Sequence, residues 1–188
     1  MTEIRDAKTQ RSMDVDSEGR GQVEAKTFTA SQETNHNHKT AYVMELPAAT
    51  LTAAWVWAAI KNTDDLEMHI TSVVLWTTVN KSNDWVSAYT RGAFTYAANG
   101  TSVSPANCNS GGALGASGSF YYNDGVGDLT TITVGQSCGS ILVTTTPTRF
   151  FINSEWVVPK NQTWYLKSEL ANDNVYQGWI EFFIHNSM

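Results

Sequence analysis

Met68-His-Ile-Thr-Ser-Val-Val-Leu-Trp76 is the stretch on which the fold class turns. Met68, Ile70, Val74 and Trp76 fall on one side of a period-two pattern, with His69, Thr71 and Val73 on the other. That is the pattern of a half-buried strand. Working outward, comparable runs occur at 54–60, 85–96, 119–122, 129–134, 140–145, 149–153, 164–170 and 175–185, dominated by Thr, Val, Trp, Tyr and Phe, the residues that suit a pleated surface. Between them stand turn sequences: Lys61-Asn-Thr-Asp-Asp65, Asn80-Lys-Ser-Asn-Asp84, Asn99-Gly100, Asn123-Asp-Gly125, Val158-Pro-Lys-Asn161 and Asn172-Asp-Asn174. Many short strands so punctuated predict an all-β sandwich or barrel. Residues 101–118, rich in Ser, Gly, Ala and Asn, show no period and read as a long loop, a feature that often carries function. Residues 48–59 are Ala-rich enough to draw as a helix, but Trp55, Val56 and Trp57 beside Thr50 and Thr52 favour strand, and no capping box opens the segment.

Composition narrows the function classes. The chain has 188 residues, 41% hydrophobic and 11% aromatic, and 16% are charged, well below the usual share of about 25%. Its length suits one full domain. Twelve basic residues against eighteen acidic, a net charge of −6, argue against direct nucleic-acid binding, which rests on clustered Lys and Arg. The best apolar run, 48–60, is broken by Thr50 and Thr52 and falls short of the roughly 20 residues of a membrane helix, so no membrane partner is expected. The opening Met1-Thr-Glu-Ile-Arg-Asp-Ala-Lys-Thr-Gln lacks the apolar core of a signal peptide. Cys108 and Cys138 allow one disulfide at most, and free thiols are expected in a reducing cytoplasm.

The composition divides near Thr40. Residues 1–40 hold six basic and seven acidic residues and one aromatic, Phe28, whereas 41–188 hold the other twenty aromatics. A segment with so little apolar surface cannot offset its ordering entropy unless it lies on something else. The chain therefore reads as an extended polar N-terminal arm, 1–40, followed by a β-sandwich domain, 41–188.

Motifs of catalysis are missing. There is no GxSxG, P-loop, GxGxxG leading into a helix or HExxH in the sequence, and neither catalytic activity, cofactor nor metal is expected. His36 and His38 would project to one side of an extended backbone and share a metal with Glu33, but two imidazoles do not make a site, and the stretch reads as solvated arm. His69 and His185 read as histidines satisfied within strands. Asp124-Gly-Val-Gly-Asp128 lacks the pattern of a calcium loop and reads as a turn, as do Asp64, Asp65 and Glu67 at a strand entry. The sequons at Asn80, Asn99 and Asn161 read as turn residues. Seven tryptophans admit a glycan-binding reading, because sugar faces stack on exposed rings; Trp85, Tyr89, Tyr121 and Tyr122, near loops, are its candidates. The competing assignment places these rings in core and subunit contacts.

Four stretches carry a resemblance: Glu24-Ala-Lys-Thr-Phe-Thr-Ala-Ser-Gln-Glu-Thr34 followed by His36 and His38; Ala58-Ala-Ile-Lys-Asn-Thr-Asp-Asp-Leu-Glu-Met-His-Ile70; Glu155-Trp-Val-Val-Pro-Lys-Asn161; and Gly178-Trp-Ile-Glu-Phe-Phe-Ile184. Their order resembles a family of small virion structural proteins of tailed bacteriophages, from about Val23 onward, with a departure between Arg91 and Ser119. The resemblance implies a non-enzymatic shell or appendage protein with a jelly-roll-like body. It would be assembled in the host cytoplasm, located on the capsid surface, and bound to the major capsid protein and to its own copies, with a homotrimer the first expectation. In this reading Phe28, His36 and His38 on the arm, and Trp85, Tyr89, Tyr121 and Tyr122 on the body, are the candidate interface. A tail, collar or fibre component is the alternative within that class. A carbohydrate-binding module or host-surface adhesin is the alternative outside it.

Overall fold

The computed structural model describes residues 40–79, 84–94, 100–111, 115–127, 129, 132–133, 135–170 and 173–185, with strands at 4–5, 12–15 and 21–22. Among the described residues there are fifteen strands and no helix. Within the arm, β1 (Ile4–Arg5), β2 (Ser12–Val15) and β3 (Gly21–Gln22) pair in order as a small antiparallel sheet. Phe28, Glu33, His36 and His38 lie outside the described residues.

The body is built from β4 (Ala41–Leu51), β5 (Val56–Lys61), β6 (Glu67–Val79), β7 (Asp84–Phe94), β8 (Gly100–Ser102), β9 (Ala106–Asn107), β10 (Ser119–Asn123), β11 (Ile132–Thr133), β12 (Gln136–Val143), β13 (Thr148–Val158), β14 (Thr163–Ser168) and β15 (Asn174–His185). One sheet runs β13-β6-β15-β4-β9. The other runs β12-β7-β14-β5-β10-β8, with β11 on the same edge of β7 as β12. The pairing follows a simple rule: β4 with β15, β5 with β14, β6 with β13 and β7 with β12, all antiparallel. The first four long strands thus zip against the last four in reverse order, and successive strands alternate between sheets. A ribbon wrapped in this way is a jelly roll, so the expected β-sandwich is the observed fold.

Differences from the expected strands have local causes. The segment 41–51, which contains Pro47, is not among the expected strands, yet it forms β4. The ladder accommodates the proline in a bulge: Tyr176 faces Ala49 and Gly178 faces Leu46, leaving Pro47 and Ala48 opposite Gln177, and a bulge is one of the few places in a sheet that tolerates a missing N–H. The helical alternative for 48–59 is replaced by the end of β4, a bend, and β5. The expected 101–118 loop contains the short strands β8 and β9 within otherwise irregular chain.

The face assignment within 68–76 also needs correction. Met68 and Ile70 enter the core as expected, but so do Val73 and Leu75, while Val74, itself buried, and Trp76 take the other face. The cause is an extra residue in β6: Glu181 pairs Ser72 and Phe182 pairs Ile70, so Thr71 has no counterpart and the alternation changes sides. A second bulge in β5, where Leu166 pairs Ala58 and Lys167 pairs Val56, sends both Trp57 and Ala58 inward.

Between the sheets lies an aromatic core. Phe182 stacks at 5.4 Å on Tyr42 and at 5.4 Å on Phe120, Trp57 meets Tyr176 at 5.6 Å, and Trp164 meets Trp156 at 5.4 Å. Turns hold its rim. Asn62, fully buried, donates through Nδ2 to Leu66 O at 2.7 Å and Val158 O at 2.8 Å, and accepts from Asp64 N at 2.9 Å. Asn161 and Asp173, in two of the expected turns, adopt left-handed φ of 63° and 53°, a conformation that Asn and Asp tolerate best among non-glycine residues. Gly125 is required in its turn: its φ is 94° and an added Cβ would collide with the Thr50 carbonyl.

The insertion between β7 and β12 adds strands at both edges, with β11 beside β7 and the rest on the far side. It sets β10 beside β5 and β9 beside β4, and Cys108 N donates to Ala41 O at 2.8 Å. On the opposite side β12 and β13 are the sheet margins. Removing the central ring of the core through Phe182→Ala should cost about 3–5 kcal/mol of stability, measured by denaturant unfolding.

Candidate functional site

A buried carboxylate organises one end of the sandwich. Asp84, at the start of β7, has no exposed surface. It accepts a hydrogen bond from Leu170 N at 3.1 Å on Oδ1, and from Tyr176 OH on Oδ2. Ser168 Oγ stands 2.7 Å from the same Oδ2 and 2.9 Å from Leu170 O; its single proton can serve only one of them at a time. Asp84 and Ser168 belong to one sheet and Tyr176 to the other, so the carboxylate pins the layers together. Sequence reasoning treated Asp84 as a turn residue, and nothing in its neighbourhood marks it as buried.

This anchor also sets two surface residues. Trp85 follows Asp84 in β7 and is 50% exposed; Leu170, whose N–H is held by the carboxylate, is 47% exposed. Glu169 N donates to Trp85 O at 2.9 Å, bringing the two segments together. Two large apolar side chains are therefore displayed on backbone that a buried network holds rigid.

The remaining candidates separate. Tyr89 and Tyr121 share the outer face of the larger sheet with Trp85. Tyr89, Tyr165, Ala59 and Tyr121 form a cross-strand row over β7, β14, β5 and β10. Tyr122, one residue on, turns inward against the core. Sequence reasoning missed Tyr165, the middle of this row. It stacks on Tyr89 at 5.0 Å with planes 5° apart, and Gly135 N donates to its hydroxyl at 3.0 Å. Leu129 completes the cover over Val56, Ala59 and Tyr165. Tyr89 OH donates to Glu169 Oε1 at 2.9 Å; burial first, and then this carboxylate, push its hydroxyl up to about 12. A sugar approaching this row meets Leu129 and the engaged hydroxyls of Tyr89 and Tyr165, whereas Trp85 is half exposed.

The outer face of the smaller sheet carries a second aromatic group. Trp76 meets Trp179 edge-on at 5.6 Å, Trp179 Nε1 donates to Glu181 Oε1 at 3.0 Å, and Arg149 pairs with the same oxygen at 2.5 Å. His69 stacks on Phe183 at 4.7 Å. Asp64 caps its own turn through Leu66 N, and Asp65 pairs with Lys160. No group of three His, Cys, Asp or Glu side chains placed to hold a metal occurs among the described residues.

Both cysteines are free thiols. Cys108 is exposed. Cys138, on β12, donates to Ala88 O at 3.2 Å, and burial pushes its thiol up to about 11 against the weaker opposing pull of backbone and the Trp164 indole.

Compared with protein-family models, with curated proteins and with solved structures, the chain matches none.

Two measurements probe this geometry. In a double-mutant cycle, Asp84→Ala should cost about 3 kcal/mol and Tyr176→Phe about 1–2 kcal/mol. The pair together should cost less than their sum, since each leaves the other's partner stranded. For the thiol, a raised folded-state pKa means little thiolate at neutral pH. In a Cys108→Ser background, alkylation of Cys138 by iodoacetamide should be slow at pH 7 and climb about tenfold per pH unit toward pH 11.

Proposed function

We propose that the protein is a non-enzymatic structural subunit of a virion, a capsid cement or decoration protein that binds the major capsid protein and its own copies. The observation that carries this reading is the wrapped-ribbon jelly roll that displays Trp85 and Leu170, two half-exposed apolar side chains, on an end held rigid by Asp84. Jelly rolls recur in viral capsid and lectin domains. That parallel is one of architecture, and function follows from the surfaces grafted onto it.

Several features suit a subunit packed among others. Interfaces favour Trp, Tyr and Phe and are depleted in Lys, Glu and Asp, and the 41–188 body concentrates aromatics while the chain as a whole carries few charges. Rigid display of Trp85 and Leu170 lowers the ordering cost of association. The arm, with six basic and seven acidic residues, lets one subunit touch more than its immediate contact. Closed symmetry is the common solution for homo-oligomers, and a trimer is the assembly assigned here.

Purified particles should contain the chain, and the isolated full chain should add back to capsids stripped of it. Deleting residues 1–40 should remove most of that binding. Trp85→Ala with Leu170→Asp should weaken it at least about tenfold without lowering the unfolding temperature. Particles that lack the chain, or decoration indifferent to both changes, would overturn the reading. Location at a tail or collar by particle reconstruction would move the subunit within the virion class.

A further inference from the structure

The edge of the sandwich that carries β12 and β13 contains a cleft of about 690 Å³, between β7, β12 and β14 on one sheet and the end of β13 on the other. Its size lies within the range of about 300–1,000 Å³ of small-molecule sites. Trp156 lines it with a half-buried ring, backed at 5.4 Å by the fully buried Trp164. Thr90, Gln162 and Thr163 stand on the same walls. Thr163 is 1% exposed, and its Oγ1 has no hydrogen-bond partner. A buried hydroxyl left unpaired costs about 1–3 kcal/mol, and turning this side chain toward a ligand hydroxyl in the cleft would remove that cost.

The charge pattern selects the ligand class. Among the described lining residues the ionisable ones are Lys160 and Cys138. The Lys160 ammonium pairs with Asp65 outside the lining, and burial keeps the Cys138 thiol protonated at neutral pH. Among the described lining residues an anion would find no unpaired cation and a cation no carboxylate. A wholly apolar molecule would leave Thr163 Oγ1 unsatisfied and would bury the Gln162 amide without a partner. What fits is a neutral molecule with one flat C–H face and several hydroxyls.

We propose that this cleft is a binding site for a neutral saccharide, with the Trp156 ring as stacking platform and Thr90, Gln162 and Thr163 as the groups that recognise its hydroxyls. The site lies apart from the outer-face tyrosines and from Trp85, and it does not depend on the virion reading. A chain packed on a particle could use it to hold a host-surface glycan, and a chain with no virion role could use it equally.

The test is a titration of the full chain with glucose, galactose, mannose, N-acetylglucosamine, cellobiose, lactose and chitobiose, read by tryptophan fluorescence and saturation-transfer NMR. At least one sugar should give a saturable response and should slow alkylation of Cys138 in the Cys108→Ser background. Trp156→Ala should weaken binding at least about tenfold. Thr163→Val should weaken it severalfold with the unfolding temperature retained, and Trp85→Ala should leave it unchanged. Because Trp156 also packs on the core, Thr90→Phe serves as the second variant: it fills the cleft from the opposite wall and should abolish binding in a folded protein. No saturable response from any of these sugars, binding that survives Thr90→Phe, or binding lost with Trp85→Ala overturns the proposal.

Discussion

A carboxylate without exposed surface can remain in a folded protein only where several donors reach it together, because an isolated buried charge is far costlier than any single contact can offset. Asp84 meets that condition at one place, where β7, the end of β14 and the start of β15 converge and Tyr176 crosses from the opposite sheet. The requirement is strict in geometry. Sliding either sheet would strand the carboxylate, so the network selects one relation between layers that aromatic packing alone would specify less sharply. Trp85, Glu169 and Leu170 inherit their positions from it.

Bulges do the complementary work along the strands. A pleated strand commits alternate residues to opposite faces, and only an extra residue can reset the alternation. Thr71 in β6 and Trp57 in β5 are such residues. Through them Val73 and Leu75 join Met68 and Ile70 in the core, and Trp57 reaches Tyr176. The same resets free Trp76 to meet Trp179 outside. Core and surface aromatics are thus distributed by a few irregularities in otherwise regular ladders.

The faces that result are unequal, and their differences organise the functional readings. Along the larger sheet Leu129 packs over the tyrosine row and Gly135 N engages the Tyr165 hydroxyl, while Trp85 and Leu170 form the apolar display at one end. At the edge formed by β12 and β13 the sheet margins flank a cleft lined by Trp156. Assembly through the first and recognition of a small polar ligand through the second are compatible, since they use separate parts of the molecule.

Much of the fold was legible in the chain. Alternating Thr, Val and aromatic runs announce strands whatever surrounds them, because alternation follows from the pleat itself, and Asn161 and Asp173 mark turns because few residues other than glycine accept their backbone angles. The division at Thr40 is likewise a property of composition. Of the candidate site, Trp85 was legible as an aromatic beside a turn, but its partner Leu170 and the covered state of Tyr89 were not. Those depend on which strands become neighbours: β7 lies beside β14 only because the ribbon wraps, placing Tyr165 against Tyr89 over a separation of seventy-six positions. Bulge positions, the burial of Asp84 and the cleft at Trp156 belong to the same class. The sequence by itself determined that the chain would form an all-β body, because local periodicity acts within a few residues. The tertiary structure alone decided which faces were buried and which side chains met, because those follow from pairings between segments distant in the chain.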